Sequence, residues 1–130
     1  AMQGAADVIL VDGFDAAGMP AELGSAGFYA DSRRALREGG VLVANILSYD
    51  PCHDLIVERI GRAFGGHACD FPGIAGNNHL LFAVRAGGSA AGARAARRVA
   101  RFRHWRGLRS PLLHRLLARA LVAWLAWRPV

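Results

Sequence analysis

The stretch that decides the fold runs from Asp7 to Leu47, DVILVDGFDAAGMPAELGSAGFYADSRRALREGGVLVANIL. It opens with Val8-Ile9-Leu10-Val11, a continuous β-prone apolar run of the kind that forms a strand covered on both faces. The run stops at Asp12-Gly13-Phe14-Asp15, and a loop bearing glycine and proline follows through Pro20. Ser25 then offers a side-chain oxygen to the first turn of a helix reaching Glu38, with Phe28, Ser32, Ala35 and Leu36 on one face. Gly39-Gly40 are placed to end that helix. Val41-Leu42-Val43-Ala44 reads as a second buried strand.

Downstream, Asp50-Pro51 has the form of an N-cap with proline at the first helical position. The helix it opens runs to about Phe64, with Ile56, Ile60 and Phe64 on one face, and Gly65-Gly66 end it. A short strand over His67–Phe71 and a better one over Leu80–Val84 flank a turn at Pro72–Asn78. Two strands without a helix between them pair antiparallel, since a parallel pair needs a long crossover. The expected fold class is therefore α/β: an open, mostly parallel sheet with an antiparallel edge. From Gly87 the texture changes. GGSAAGA resembles a linker, Arg94–Arg103 a basic helix, and Ser110-Pro111 the start of a helix reaching about Trp127. In that last helix Leu113, Leu116, Leu117, Ala120, Leu121 and Trp124 form a wide apolar stripe. Residues 1–86 thus read as an α/β domain portion and 87–130 as a linker with a basic helical tail.

The chain has 130 residues, 53% of them apolar, which suffices for one core and excludes disorder throughout. Its net charge of +6 conceals a split, because all ten acidic residues lie at or before Asp70. Residues 1–85 carry six arginines against those ten acids, a net −4, while 86–130 carry ten arginines and no acid. Every basic residue is arginine, which reads as a coding bias in an Ala- and Gly-rich chain. Cys52 and Cys69 have no metal-type spacing, nor do His53, His67 and His79, so no metal is expected. Residues 1–6 run straight into the first strand, so the chain reads as cut at its start, and no basic region precedes an apolar one as in a signal peptide. Leu116–Trp127 is interrupted by Arg119 and falls short of the roughly 18 residues that mark a membrane span. A cytoplasmic protein is expected.

The chemistry-bearing point is Asp12, at the end of a buried strand, where open α/β sheets bind ligands. Asp15 follows across Gly13, which allows a tight turn. Two readings stand on the residues alone: Asp12 caps a turn and Asp15 is solvated, or two carboxylates at a crevice edge attract a cation. Cys52 at a helix start has no neighbouring base and reads as buried. GIAG at 73–76 reads as a turn, and Trp105, Trp124 and Trp127 as packing residues.

Asp7–Leu47 resembles the middle of the spermidine synthase (polyamine aminopropyltransferase) family. The likeness lies in a strand ending in Asp, two residues, a second Asp, a helix carrying Phe28-Tyr29 and then the Gly39-Gly40-Val41-Leu42 strand. Residues 76–83, GNNHLLFA, resemble the family's closing strand, so the likeness covers roughly residues 5–86. It implies the C-terminal portion of a Rossmann-like, S-adenosylmethionine-methyltransferase-type open sheet. It also implies transfer of an aminopropyl group from decarboxylated S-adenosylmethionine, as co-substrate, to a polyamine or other amine. Carried over, Asp12 matches the catalytic aspartate, Asp15 an aspartate holding the substrate's ammonium end, and Asn45 a position facing the polyamine. The family's glycine-rich turn and ribose-binding acid fall upstream of this chain, so the cofactor-binding residues are expected there and the fragment alone is expected to be inactive. The aromatic residue many members place before the last strand is replaced here by Gly73, Ile74 and Ala75.

Two other function classes remain beside this one: an S-adenosylmethionine-dependent small-molecule methyltransferase on the same fold, and a non-catalytic binding module. For the tail, an extension folding back over the domain or pairing in a homo-oligomer is favoured over contact with nucleic acid or a membrane.

Overall fold

In a computed structural model the described residues are 4–15, 17–72 and 77–104. The order of elements is β1 (Ala6–Val11), α1 (Ala26–Ala35), β2 (Leu36–Leu47), α2 (His53–Ala63), β3 (Ala68–Pro72), β4 (Asn78–Val84) and α3 (Ala90–His104). Together they form an open mixed α/β sheet of four strands, in the order β1-β2-β4-β3, with three helices. β1 and β2 run parallel, while β4 is antiparallel to both β2 and β3. The antiparallel edge and the β3–β4 hairpin are as the strand spacing predicts, whereas the expectation of a mostly parallel sheet is corrected: among the described residues β1–β2 is the one parallel pair, because β4 follows β3 too soon for a crossover. The Gly73–Ala75 turn and the predicted helix from Ser110 to Trp127 lie outside the described residues.

Alternation along β2 divides the sheet into two faces, because successive side chains of a strand point oppositely. Leu42, Ala44 and Ile46 are fully buried against Tyr29 of α1 and Ile56 and Ile60 of α2, with Phe64 just beyond α2. The opposite face, through Val41, Phe82, Val84 and Cys69, packs against Ala95 and Val99 of α3. α3 lies over β2, β4 and β3, and β1 stands beside it. The expectation that Val8–Val11 is covered on both faces is therefore corrected. Ile9 and Val11 pack into the α1/α2 core, whereas Val8 is 54% and Leu10 73% exposed.

The first helix also ends earlier than Gly39-Gly40 suggest, at Ala35 rather than Glu38. Its start is as read, with the Ser25 hydroxyl accepting from Phe28 N at 3.1 Å. Its last carbonyls find partners in distant chain. Gly4 N donates to Arg34 O and Ala5 N to Ala35 O, both at 2.9 Å, and the Arg85 guanidinium donates to Arg34 O and Leu36 O. With those acceptors satisfied, Leu36 turns into the core and the glycines serve the sheet instead. Register runs from Ala6↔Leu36 to Val8↔Val41, so β2 holds three extra residues in a bulge. A Cβ on Gly40 would stand 2.9 Å from Arg37 O and 3.1 Å from the Ala6 and Asp7 carbonyls, and Gly39 adopts φ +79.

Periodicity found Ser32 and Leu36 on the buried face of α1 but missed Tyr29. Tyr29 and Ser32 are buried, and Phe28 is only partly so. The Tyr29 hydroxyl has no hydrogen-bond partner among the described residues, and burial, opposed by Arg59 and aided by Asp50, pushes it up to about 12.

α3 is anchored by Ser89, whose hydroxyl accepts from Gly92 N at 3.1 Å. The Ser89 backbone N–H in turn donates to the Glu38 carboxylate at 3.0 Å. Gly87 makes room, since a Cβ there would stand 2.2 Å from the Glu38 carboxyl carbon.

Two outcomes follow from this packing. Tyr29→Phe removes a buried hydroxyl that lacks a partner, so thermal melting should hold or rise, while Tyr29→Ala should cost about 3–5 kcal/mol in urea unfolding. The hydrogen bonds from Ser89, hydroxyl first and backbone second, hold Glu38 below its ordinary value of 4.5. A lowered carboxylate contributes its stabilisation above the unfolded pKa and loses it as pH falls through the folded one. Protection of the Ser89 and Gly92 amides, relative to their intrinsic exchange, should therefore fall on acidification below about pH 4.5, and Glu38→Gln should abolish that step.

Candidate functional site

β1 ends at Val11 because the apolar run gives way to Asp12-Gly13, and β2 continues beside it to Leu47. The parallel register Val11↔Ala44 makes Asp12 and Asn45 neighbours at the carboxyl end of the two strands. The Asn45 side-chain amide donates from Nδ2 to Asp12 Oδ1 at 3.1 Å. Asp12 is exposed and forms no ion pair among the described residues. Asn45 is half-buried, and its Oδ1 is buried without a hydrogen-bond partner among the described residues. Leaving a buried acceptor unpaired costs about 1–3 kcal/mol.

Asp15 lies three residues on, in a loop with its own turn. Its backbone exchanges hydrogen bonds with Gly18, at 3.0 and 3.2 Å, and its Oδ1 accepts from Ala17 N at 2.7 Å. That is an Asx turn. Of the two bland expectations, the turn-capping acid is thus Asp15, while Asp12 is held by a side chain from the next strand. Asp15 is exposed and takes part in no ion pair among the described residues.

The loop is fastened by a residue that sequence reading placed elsewhere. Asp50, 7% exposed, accepts from Met19 N at 2.8 Å through one carboxylate oxygen and from Cys52 N at 2.7 Å through the other. Its backbone oxygen accepts from His53 N at 2.9 Å. α2 accordingly begins at His53, so Asp50 caps the turn leading into the helix rather than the helix itself. Pro51 and Cys52 occupy that turn on the surface, which corrects the expectation that Cys52 is buried. Gly18, at φ +112, passes so close that a Cβ would stand 2.6 Å from Asp50 Oδ2. The Asp-Pro pair was the available signal, and it points only to a local cap.

A second polar group lies among the other elements. His79 Nδ1 stands 3.2 Å from both carboxylate oxygens of Asp70, and the His79 ring meets His53 edge to face at 4.8 Å. His53 Nδ1 faces Asp54 at 3.0 Å. Among the described residues no group of three or more His, Cys, Asp or Glu could hold a metal ion. Nor is any described helix long and apolar enough to cross a membrane.

No protein-family model matches the chain. Curated relatives do. A polyamine aminopropyltransferase of Chromobacterium violaceum is 35% identical over 83 residues, covering 64% of this chain and 32% of that protein. Polyamine aminopropyltransferases of two strains of Neisseria meningitidis are each 34% identical over 79 residues, covering 61% of this chain and 30% of their own length. The chain spans about a third of the length of the curated relatives it matches. Its similarity to the polyamine aminopropyltransferases is distant and partial, about 35% identity over some 60% of its residues, as the motifs from Asp7 to Leu47 predict.

Proposed function

We propose that this chain is the C-terminal part of an aminopropyltransferase catalytic domain on a Rossmann-like, S-adenosylmethionine-methyltransferase-type sheet. The observation that carries the reading is the Asn45–Asp12 hydrogen bond at the carboxyl ends of two parallel strands, with Asp12 exposed and, among the described residues, not spent on an ion pair. Such a lip suits a cationic amine, and the likeness to aminopropyltransferases supplies the class of reaction.

An alkylamine has a pKa near that of lysine, about 10.4, so near pH 7 it holds its proton and lacks a free lone pair. Freeing the lone pair costs roughly 4–5 kcal/mol at about 1.36 kcal/mol per pH unit. Asp12 has two tasks: to aim the amine at the electrophilic carbon, and to take its proton, directly or through water, as attack develops. Decarboxylated S-adenosylmethionine, the co-substrate, supplies a sulfonium-activated aminopropyl group. The amine nitrogen bonds to the terminal propyl carbon as the carbon–sulfur bond breaks, its electron pair leaving on sulfur as a neutral thioether. Asn45 holds the Asp12 carboxylate in place, and Asp15 attracts the far ammonium end of the acceptor. The relatives' additional length is where the remaining co-substrate contacts are expected.

In the full-length protein, supplied with decarboxylated S-adenosylmethionine and a panel of diamines, methylthioadenosine should be released. Asp12→Asn should lower kcat about 10²–10⁴-fold with little change in melting temperature. Asp15→Asn should chiefly raise KM for the amine. An Asp12→Asn protein of unaltered rate would overturn the assignment, and consumption of S-adenosylmethionine itself would point to methyl transfer.

A further inference from the structure

α3 carries Arg94, Arg97, Arg98 and Arg101, spaced i, i+3, i+4 and i+7, so the four share one helix face. All four are exposed and together line one shallow surface depression. None of the four side chains makes a hydrogen bond or ion pair among the described residues. Of the six arginine side chains before α3, five are engaged among the described residues and Arg33 is the exception. Arg34, Arg37 and Arg62 each face a carboxylate, Asp31, Asp7 and Glu58, and Arg59 donates to Gly24 O at 2.8 Å. No acidic residue follows Asp70 in the sequence, so α3 has no acid on its own helix to offset its arginines. Like charges one turn apart destabilise a helix by a few tenths of a kcal/mol per pair. Docking on the sheet through Ala95 and Val99 offsets that repulsion and leaves the positive face outward.

We infer that the outer face of α3 is a binding surface for the phosphodiester backbone of a nucleic acid. The four arginines span about 10 Å of helix at 1.5 Å per residue, and guanidinium forks match phosphate oxygens in bidentate geometry. A lipid surface fits less well. Helices that lie on membranes insert an apolar face beneath a basic one, and on α3 Ala95 and Val99 are already used against Cys69 and Val84. Between the arginines stand only Ala95, Ala96, Val99 and Ala100, of which Val99 is buried. No bulky apolar side chain stands exposed between the four arginines. Contact with phosphates alone is independent of base sequence.

The test uses the full chain and a labelled 20-base-pair duplex, read by fluorescence anisotropy between about 50 and 200 mM salt. Each phosphate neutralised contributes about −0.9 to the slope of log K against log salt. The double variant Arg94→Gln/Arg98→Gln should flatten the slope by about 1.8, with unchanged helical circular dichroism because glutamine is also a good helix former. Arg62→Gln, which alters an arginine paired with Glu58, should leave the slope as it is. Absence of binding at 50 mM salt, an unaltered slope in the double variant, or binding to phosphatidylserine vesicles but not to the duplex would each overturn the inference.

Discussion

The carboxylate of Asp50 joins two parts of the chain that lie 31 residues apart. One oxygen takes the backbone N–H of Met19, at the end of the loop after β1, and the other takes that of Cys52, at the turn before α2. Being buried, the group would lose heavily without these donors, so its position dictates theirs. Gly18 must lack a side chain for the loop to reach it. Through this joint the loop bearing Asp12 and Asp15 is set against the end of β2, and α2 is started where Ile56 and Ile60 meet the sheet.

The site inherits its geometry from that arrangement and from one parallel register. Val11 opposite Ala44 makes Asp12 and Asn45 adjacent, so a side-chain hydrogen bond can cross between strands whose residues are 33 positions apart. Asp15 follows the loop rather than the sheet, and its Asx turn keeps it beside Gly18. The two acids thus differ in what holds them: one a neighbouring strand, the other its own backbone. The roles proposed for them, proton acceptor for Asp12 and electrostatic anchor for Asp15, differ in the same way.

The two faces of the sheet serve differently. The face under α1 and α2 is a closed apolar core, while the other receives α3 and presents an acid-free arginine surface to solvent. Glu38 links them. It sits in the bulge of β2 and accepts the Ser89 N–H at the start of α3, so the acidic first part of the chain holds the basic last part at one defined point.

What the sequence by itself determined is whatever depends on local pattern. Ser25 as a cap, Ile56-Ile60-Phe64 as a buried stripe, and a hairpin where two strands lack a helix between them all follow from neighbours within a turn or two. The ordered motifs from Asp7 to Leu47 likewise pointed to the relatives. Only the tertiary structure decided what depends on partners far along the chain. α1 stops at Ala35 because Gly4, Ala5 and Arg85 reach its last carbonyls. Val8 and Leu10 stay exposed because α3 settles over β2 to β4. Asp50 becomes a buried joint because Met19 arrives from 31 residues away. Hydrophobic period and capping chemistry are written into adjacent residues, whereas the satisfaction of a backbone acceptor or a buried carboxylate depends on which distant donor the fold brings within about 3 Å.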